Sequence, residues 1–363
     1  MFLTPKKIDW YIFRKFMGTF FASLILIIGI VIIFDISEKI DDFVEKKAPL
    51  NAIVFDYYLN FIPYFINMYS PMFVFITVIF FTSKMASNSE IIAILSGGVS
   101  FHRMMRPYLL AATLIAGLSL VLNLFIIPES NKETLAFEQR YIKEKPKKVN
   151  RNIHYQVSPG EFVYAESFSS WNNTAYKFTI EKIEDSKLVS KISAETAVYD
   201  TLKGSWRLKK YFIREFNDDL TDKIRSGRQL DTVIPLSVKD FYFSENTVTT
   251  LNYFELDEMI DIQVMRGDAN VKFALIEKHT RYALPFSAFV LTIIGVALSS
   301  KKRRGGIGWN IALGIALAFT YILFMRFSQM FVHTDTLSPA LALWLPNIVY
   351  TIIAIVLYRL APK

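Results

Sequence analysis

Cysteine is absent from the 363-residue chain, so disulfide bridges and thiolate metal sites are excluded, and any exported domain must hold together by packing alone. Histidine is scarce. His102, His154, His279 and His333 are scattered without an HExxH or other paired spacing, and each reads as interfacial or structural rather than as a ligand. No G-x-x-x-x-G-K-S/T loop occurs, which removes that route to ATP binding. Net charge is +8, yet no run of Lys and Arg alternates with aromatics as a nucleic-acid surface would require. Carboxylates are common, but no pair of them is marked out by spacing as acid and base. The expectation is no catalytic residue, no metal, no cofactor and no nucleic-acid partner.

What the chain does have is long apolar sequence. Hydrophobic residues make up 52% of it, gathered near both ends, while the middle reads like an ordinary soluble domain. A spanning helix needs about 20 apolar residues. Six blocks qualify, at 16–34, 59–82, 107–127, 282–299, 307–331 and 339–360. As buried helices of a soluble protein they would need a core with almost no polar face on any helix, so six membrane spans are expected. The first is read as retained rather than cleaved. It is too long for a signal h-region, and Asp35-Ile36-Ser37-Glu38 lacks a small-residue cleavage pattern.

Lys and Arg set the orientation. They cluster before span 1 (Lys6, Lys7, Arg14, Lys15), between spans 2 and 3 (Lys84, Arg103, Arg106), between spans 4 and 5 (Lys301, Lys302, Arg303, Arg304) and at the end (Arg359, Lys363). The link between spans 1 and 2 is instead rich in acids, from Asp35 to Asp56. Both termini are therefore expected in the cytoplasm, and the insert at about 129–270 outside it. Within the insert, 152–157, 160–165, 175–180 and 205–212 alternate apolar and polar residues between turn signals, one of them Ser158-Pro159-Gly160. Such runs favour an antiparallel sandwich, barrel or jelly roll. A helix presenting Leu251, Leu256, Ile260 and Val264 should lead back to the membrane. The expected fold is a polytopic α-helical membrane protein of six transmembrane helices with an inserted all-β, jellyroll-like domain. Its parts are residues 1–128, 129–270 and 271–363.

After span 2 the chain reads Ser87-Asn88-Ser89-Glu90-Ile91-Ile92-Ala93-Ile94-Leu95-Ser96-Gly97-Gly98. Ser87 with Glu90 fits a capping box, and the Gly pair fits a left-handed helix stop. A two-turn helix on the cytoplasmic surface is expected, within 87–97. It reads either as an interfacial connector or as a coupling helix for a nucleotide-binding partner.

Taken in order, several motifs resemble the two related permease subunits of the bacterial lipopolysaccharide exporter, LptF and LptG. They are Phe61-Ile62-Pro63-Tyr64 and Pro71, then Asn88-Ser89-Glu90-Ile91-Ile92-Ala93 with Ser96-Gly97-Gly98, and Arg281-Tyr282-Ala283-Leu284-Pro285. Arg303-Arg304-Gly305-Gly306 follows, and Pro339 with Ala342-Leu343-Trp344-Leu345-Pro346-Asn347 completes the series. The resemblance covers nearly the whole length. The stretches 160–164 and 35–47 look slightly more like LptG. It implies a heterodimer of two such permeases in the inner membrane, bound to a cytoplasmic ATPase dimer. Lipopolysaccharide would enter a shared cavity between span 1 of one permease and span 5 of the other. It would then rise into the periplasmic β-domain and pass to a bridge of similar proteins. On this resemblance Asn88, Ser89, Glu90, Ile91, Ala93, Ser96 and Gly97 face the ATPase.

An anionic lipid calls for an apolar wall with cations at its rim, because a deep ion must be paired or reach water. Arg326, one to two helical turns inside span 5, and Lys39, just beyond span 1, are candidate contacts. Arg281 is a third, although Glu277 lies one turn away as a possible partner. Lys46 and Lys47 are expected to be solvated, and Pro71, Pro285 and Pro346 to kink helices without doing chemistry. A non-transporting scaffold that recruits envelope proteins through its β-domain is the alternative, and charge reversal at Glu90 separates the two readings. A membrane-embedded enzyme is a third, without a visible constellation.

Overall fold

The computed structural model describes residues 7–142, 149–169, 171–201, 203–216, 221–241, 245–268, 270–301 and 306–361. The motif at 303–305, and with it most of the basic link after span 4, lies outside them, as do Lys6 and Lys363. The chain forms two compact units. One comprises 1–142, 249–253 and 275–363, and the other 143–248 and 254–274.

In the first unit α1 (Lys7–Glu45) is followed by a π-helical turn (Ala52–Tyr58) that runs into α2 (Leu59–Ser87), then α3 (Glu90–Ser96) and α4 (Phe101–Val121). A second π segment (Leu122–Ile126) joins α4 to α5 (Ile127–Tyr141). Six helical stretches are long and apolar enough to cross a membrane: Lys7–Glu45, Ala52–Ser87, Phe101–Tyr141, Val271–Ser299, Gly308–His333 and Pro339–Leu360. Several outrun their apolar blocks. The first continues past Phe34 to Glu45 because its polar residues satisfy one another along the helix: Lys39 pairs with Asp35 at 2.6 Å across one turn, and Ser37 donates to the Ile33 carbonyl.

Burial is uneven among the spans. Those at Ala52–Ser87 and Val271–Ser299 have 61% and 67% of their apolar windows covered, against 17% for Lys7–Glu45, so the former make the centre and the latter a wall. In hydrocarbon the hydrophobic effect does not hold helices together, and close contact and polar bonds must. Gly295 lets the fourth span approach the second, since a Cβ there would stand 2.8 Å from Val78 Cγ1. Gly314 of the fifth likewise leaves room for Ile79. Asn67, Ser119 and Asn123 bond to one another in the buried space between the second and third spans.

The second unit carries one antiparallel sheet in simple chain order: β1 (Val149–Ser158), β2 (Glu161–Ser169), β3 (Thr174–Glu184), β4 (Lys187–Asp200), β5 (Ser205–Glu215) and β6 (Lys223–Thr232). The Ser-Pro-Gly turn is where it was expected, with Gly160 at φ +79°. Between rungs of otherwise continuous register, Asn152, Glu166, Lys177, Glu195 and Lys210 lie at one level across five strands. Asn152, Lys177 and Lys210 there adopt φ of 53°, 48° and 50°. Inward positions step by three across this line: Ala165 to Phe168, Ala175 to Phe178 and Ala194 to Ala197 are all buried. A regular strand would step by two. The sheet is therefore bent along the line, and its two halves share one core in which Phe178 stacks on Trp206 at 5.5 Å. The jellyroll-like enclosure thus comes from folding a meander, rather than from Greek-key crossovers. Opposite charges bridge the bend on its exposed side, Lys177 to Glu166 and Lys210 to Glu195.

The return path fills this core. Ile234, Leu236, Val238 and Phe241 are buried in it, and Trp206 Nε1 donates to the Leu236 carbonyl at 2.7 Å. Two short helices, α6 (Val238–Phe241) and α7 (Glu245–Val248), precede α8 (Tyr253–Arg266). The expected apolar stripe is rotated on α8: Leu256 and Ile260 are buried, but Gln263 takes the next inward place and Val264 is exposed. The chain then continues with α9 (Val271–Ser299), which belongs to the first unit from Leu275 on, and completes that unit with α10 (Gly306–His333) and α11 (Pro339–Leu360).

Candidate functional site

The segment after α2 does not form the expected capping box. Helix α2 runs through Ser87, and Ser89, at φ 60°, is the N-cap of α3 without a side-chain cap bond. The left-handed turn at Ser89 breaks the helix, so Ser87 and Glu90 never share a first turn. The stop is as expected. Gly98 takes φ +82°, its N–H bonds the Leu95 carbonyl, and the Val99 N–H bonds that of Ile94, which is the Schellman arrangement.

Helix α3 has two faces. Ser89, Ile92, Ala93 and Ser96, spaced by three and four, form an exposed stripe, with Asn88 and Gly97 exposed at the ends. Ile91 is 1% exposed and packs in the same core as Ile12 and Phe16 of α1. Glu90 is half-buried and also turns toward α1. Its Oε2 accepts from the Tyr11 hydroxyl at 2.8 Å, and Lys15 Nζ lies 3.4 Å from both carboxylate oxygens and 2.7 Å from the Tyr11 oxygen. Burial pushes the Glu90 carboxyl up, but the Tyr11 hydroxyl, the Lys15 charge and Asn88 outweigh it and hold the group below the usual carboxylate range. One turn away, Arg103 at the start of α4 grips Asp9 of α1 with both guanidinium nitrogens. Sequence reasoning missed Asp9, Tyr11 and Lys15. The signal available was small: Asp9 is the acid within a basic segment, and Tyr11 and Lys15 stand one turn apart.

The candidate cations fare differently. Lys39 is held by Asp35 and the Tyr57 hydroxyl, with its Nζ 4.8 Å from the Tyr57 ring centroid, and Tyr58 also donates to Asp35. Arg281 is 2% exposed. It bonds Glu277 at 2.8 Å, as its spacing suggested, and the Leu251 carbonyl at 2.8 Å, leaving Nη1 buried without a partner. Arg326 is exposed on α10, and among the described residues its one hydrogen-bond contact is the Met68 sulfur at 3.7 Å. No hydrogen bond or ion pair among the described residues joins these three cations to one another. Lys46, expected in solvent, instead donates to the Ile142 carbonyl at 3.0 Å.

On the β-unit a cavity of about 760 Å³ opens among His154, Phe162, Tyr164, Glu181, Lys191 and Arg266. The His154 and Tyr164 rings lie 4.5 Å apart, and Lys191 pairs with Glu181 at 2.7 Å. The described residues hold no group of three or more His, Asp or Glu placed to bind a metal.

Six helices long and apolar enough to span a membrane, a short helix with one exposed stripe tied to the first of them, and a β-unit inserted between the third and fourth define a polytopic helical membrane protein with a β-domain. No curated protein sequence matches the chain in direct comparison. The family described as lipopolysaccharide export system permease LptF/LptG matches residues 10–360, so the chain belongs to the LptF/LptG family. Family membership makes it a multi-pass inner-membrane permease subunit of lipopolysaccharide export, a transport component rather than an enzyme.

Proposed function

We propose that this chain is one half of an ATP-driven extractor that lifts lipopolysaccharide from the outer leaflet of the inner membrane and passes it to a periplasmic bridge. Its partners are a second, paralogous permease, a dimer of a cytoplasmic ATPase and bridge proteins of similar β-structure. Both termini and α3 face the cytoplasm, and the β-unit faces the periplasm, an orientation that the Lys/Arg asymmetry supports. The observation that carries this reading is α3 itself: a chain without a P-loop exposes Ser89, Ile92, Ala93 and Ser96 on a helix anchored by Ile91 and Glu90 to the spans. Energy from a separate ATPase enters there. Arg326, exposed on α10 without a carboxylate among the described residues, is the cation best placed for the phosphates of the lipid. Lys39 and Arg281 shape the wall through their intramolecular bonds.

Mass spectrometry of the complex extracted gently through a tag on this chain tests the proposal. A related permease, a soluble ATPase and bound lipopolysaccharide are expected. The ATPase with another lipid would change the cargo, and the chain alone, or with periplasmic proteins only, would replace the exporter by a scaffold.

A further inference from the structure

Glu90 spends its carboxylate inside the chain while sitting at the head of the helix that meets the ATPase, and this points beyond a simple docking contact. We propose that Tyr11 and Lys15 are positioning residues that clasp Glu90, so that displacement of α3 is passed to α1. The inference rests on the exporter reading above.

Three observations carry it. Glu90 turns its carboxylate to Tyr11, Lys15 and the more distant Asn88, yet its side chain keeps 27% of its exposure, so the charge of a partner cation can still approach it. It can therefore bridge the ATPase and α1 at once. Beneath it, Ile91 is a buried plug in the core that also holds Ile12 and Phe16, so α3 and the first turns of α1 share polar and apolar attachments. Asp9 fixes the turn before the clasp to Arg103 of α4. Farther along, the fully buried residues of α1 are Phe16, Phe20, Leu24 and then Phe43, and between the last two Ile27, Ile28 and Ile32 are only partly buried while Asp35 and Lys39 hold Tyr57 and Tyr58. A helix gripped at its first turns, held again at Asp35, Lys39 and Phe43, and packed more lightly between can carry a displacement along its length. Motion of α3 toward a closing ATPase moves the α1 wall, and the wall borders the lipid path.

The test uses the reconstituted complex with its ATPase in lipopolysaccharide-containing proteoliposomes, reading ATP hydrolysis and lipid release together. Tyr11→Phe with Lys15→Met leaves Glu90 in place for the partner. Lipid released per ATP should fall about tenfold, and Lys15→Arg beside native Tyr11 should recover most of it. If the double variant folds poorly, Tyr11→Phe alone, which removes one oxygen, serves, with a smaller fall in the same ratio. Unchanged release per ATP, or loss only in proportion to folded complex, overturns the clasp while leaving the exporter standing. A native assembly that hydrolyses no ATP or releases no lipid overturns the exporter reading and the clasp with it.

Discussion

Arg103 meets Asp9 through two parallel bonds, Nη1 to Oδ1 at 2.6 Å and Nη2 to Oδ2 at 2.5 Å, and so ties the start of α4 to the start of α1. The side chains retain only 19% and 10% of their exposure, so removing either partner strands a charge that is largely out of water. Arg103→Ala or Asp9→Ala should cost about 1–3 kcal/mol, below the range for a fully buried pair because some solvent remains. Arg103→Lys should recover little, since an ammonium cannot match the fork. Thermal unfolding in detergent checks this, and an unchanged midpoint for Arg103→Ala would refute it.

A second prediction follows from the proline expected to kink the fourth span. Pro285 has no N–H for the carbonyl four residues back, which is that of Arg281. Asn123 of the second π segment donates to this carbonyl at 3.4 Å, and also accepts from Asn67 at 2.6 Å. Asn123→Leu should therefore destabilise by about 1–3 kcal/mol, the cost of leaving buried polar groups unmade. Pro285→Ala returns a helix donor to Arg281. The double variant should lose less than the two single losses added, and strict additivity in the cycle would argue against the link.

The candidate cations separate by their partners. Lys39 sits between Asp35 and Tyr57, so Lys39→Met leaves a carboxylate among tyrosines and should lower the unfolding temperature. Arg326 has no such obligations, and Arg326→Ala should leave stability unchanged while weakening lipopolysaccharide binding about tenfold, as loss of one charged contact does. Crosslinking or binding of the lipid to each variant distinguishes them. Equal binding by Arg326→Ala and the native chain would remove Arg326 from the lipid path.

Much of this architecture can be read from the sequence because a membrane span has a strong and local signature. Strands β1, β2, β3 and β5 were visible for a similar reason, carrying alternating aromatics and β-branched residues. Strand β4 was not, since the bend gives its inner face only Ala194 and Ala197 in the fully buried positions. Strand β6 is an edge with mostly exposed side chains and little apolar pattern. The bend itself is carried by polar residues, such as Lys177 and Lys210, that look like ordinary surface. At the candidate site the short helix α3 was legible but its faces were not: Ile91, expected to face the ATPase, is buried and Ile92 is exposed in the stripe, while Tyr11 lies 79 positions from Glu90 with no local pattern to connect them. Ser87–Glu90 spacing suggested a cap because spacing cannot report the left-handed turn at Ser89.

The last prediction concerns pH and the β-unit. Burial pushes the Asp268 carboxyl above its ordinary value, against the bonds from the Asn270 backbone and side chain that favour the ion. A carboxyl whose pKa is higher folded than unfolded binds its proton more tightly in the native state. Its contribution is fully present below the ordinary carboxylate range and is lost as pH rises through the raised folded value. Glu90, held low, has the opposite sign: its contribution is present above the ordinary range and is lost as pH falls through the depressed value. Asp268→Asn keeps an acceptor for Asn270 and removes the charge. It should stabilise the β-unit at neutral pH and flatten its gain in stability as pH is lowered through the carboxylate range. Thermal unfolding of the native chain and the variant at stepped pH, with β-unit melting followed by a label in the otherwise cysteine-free sequence, measures both effects. Parallel pH profiles for the two proteins would mean that Asp268 carries no such charge penalty.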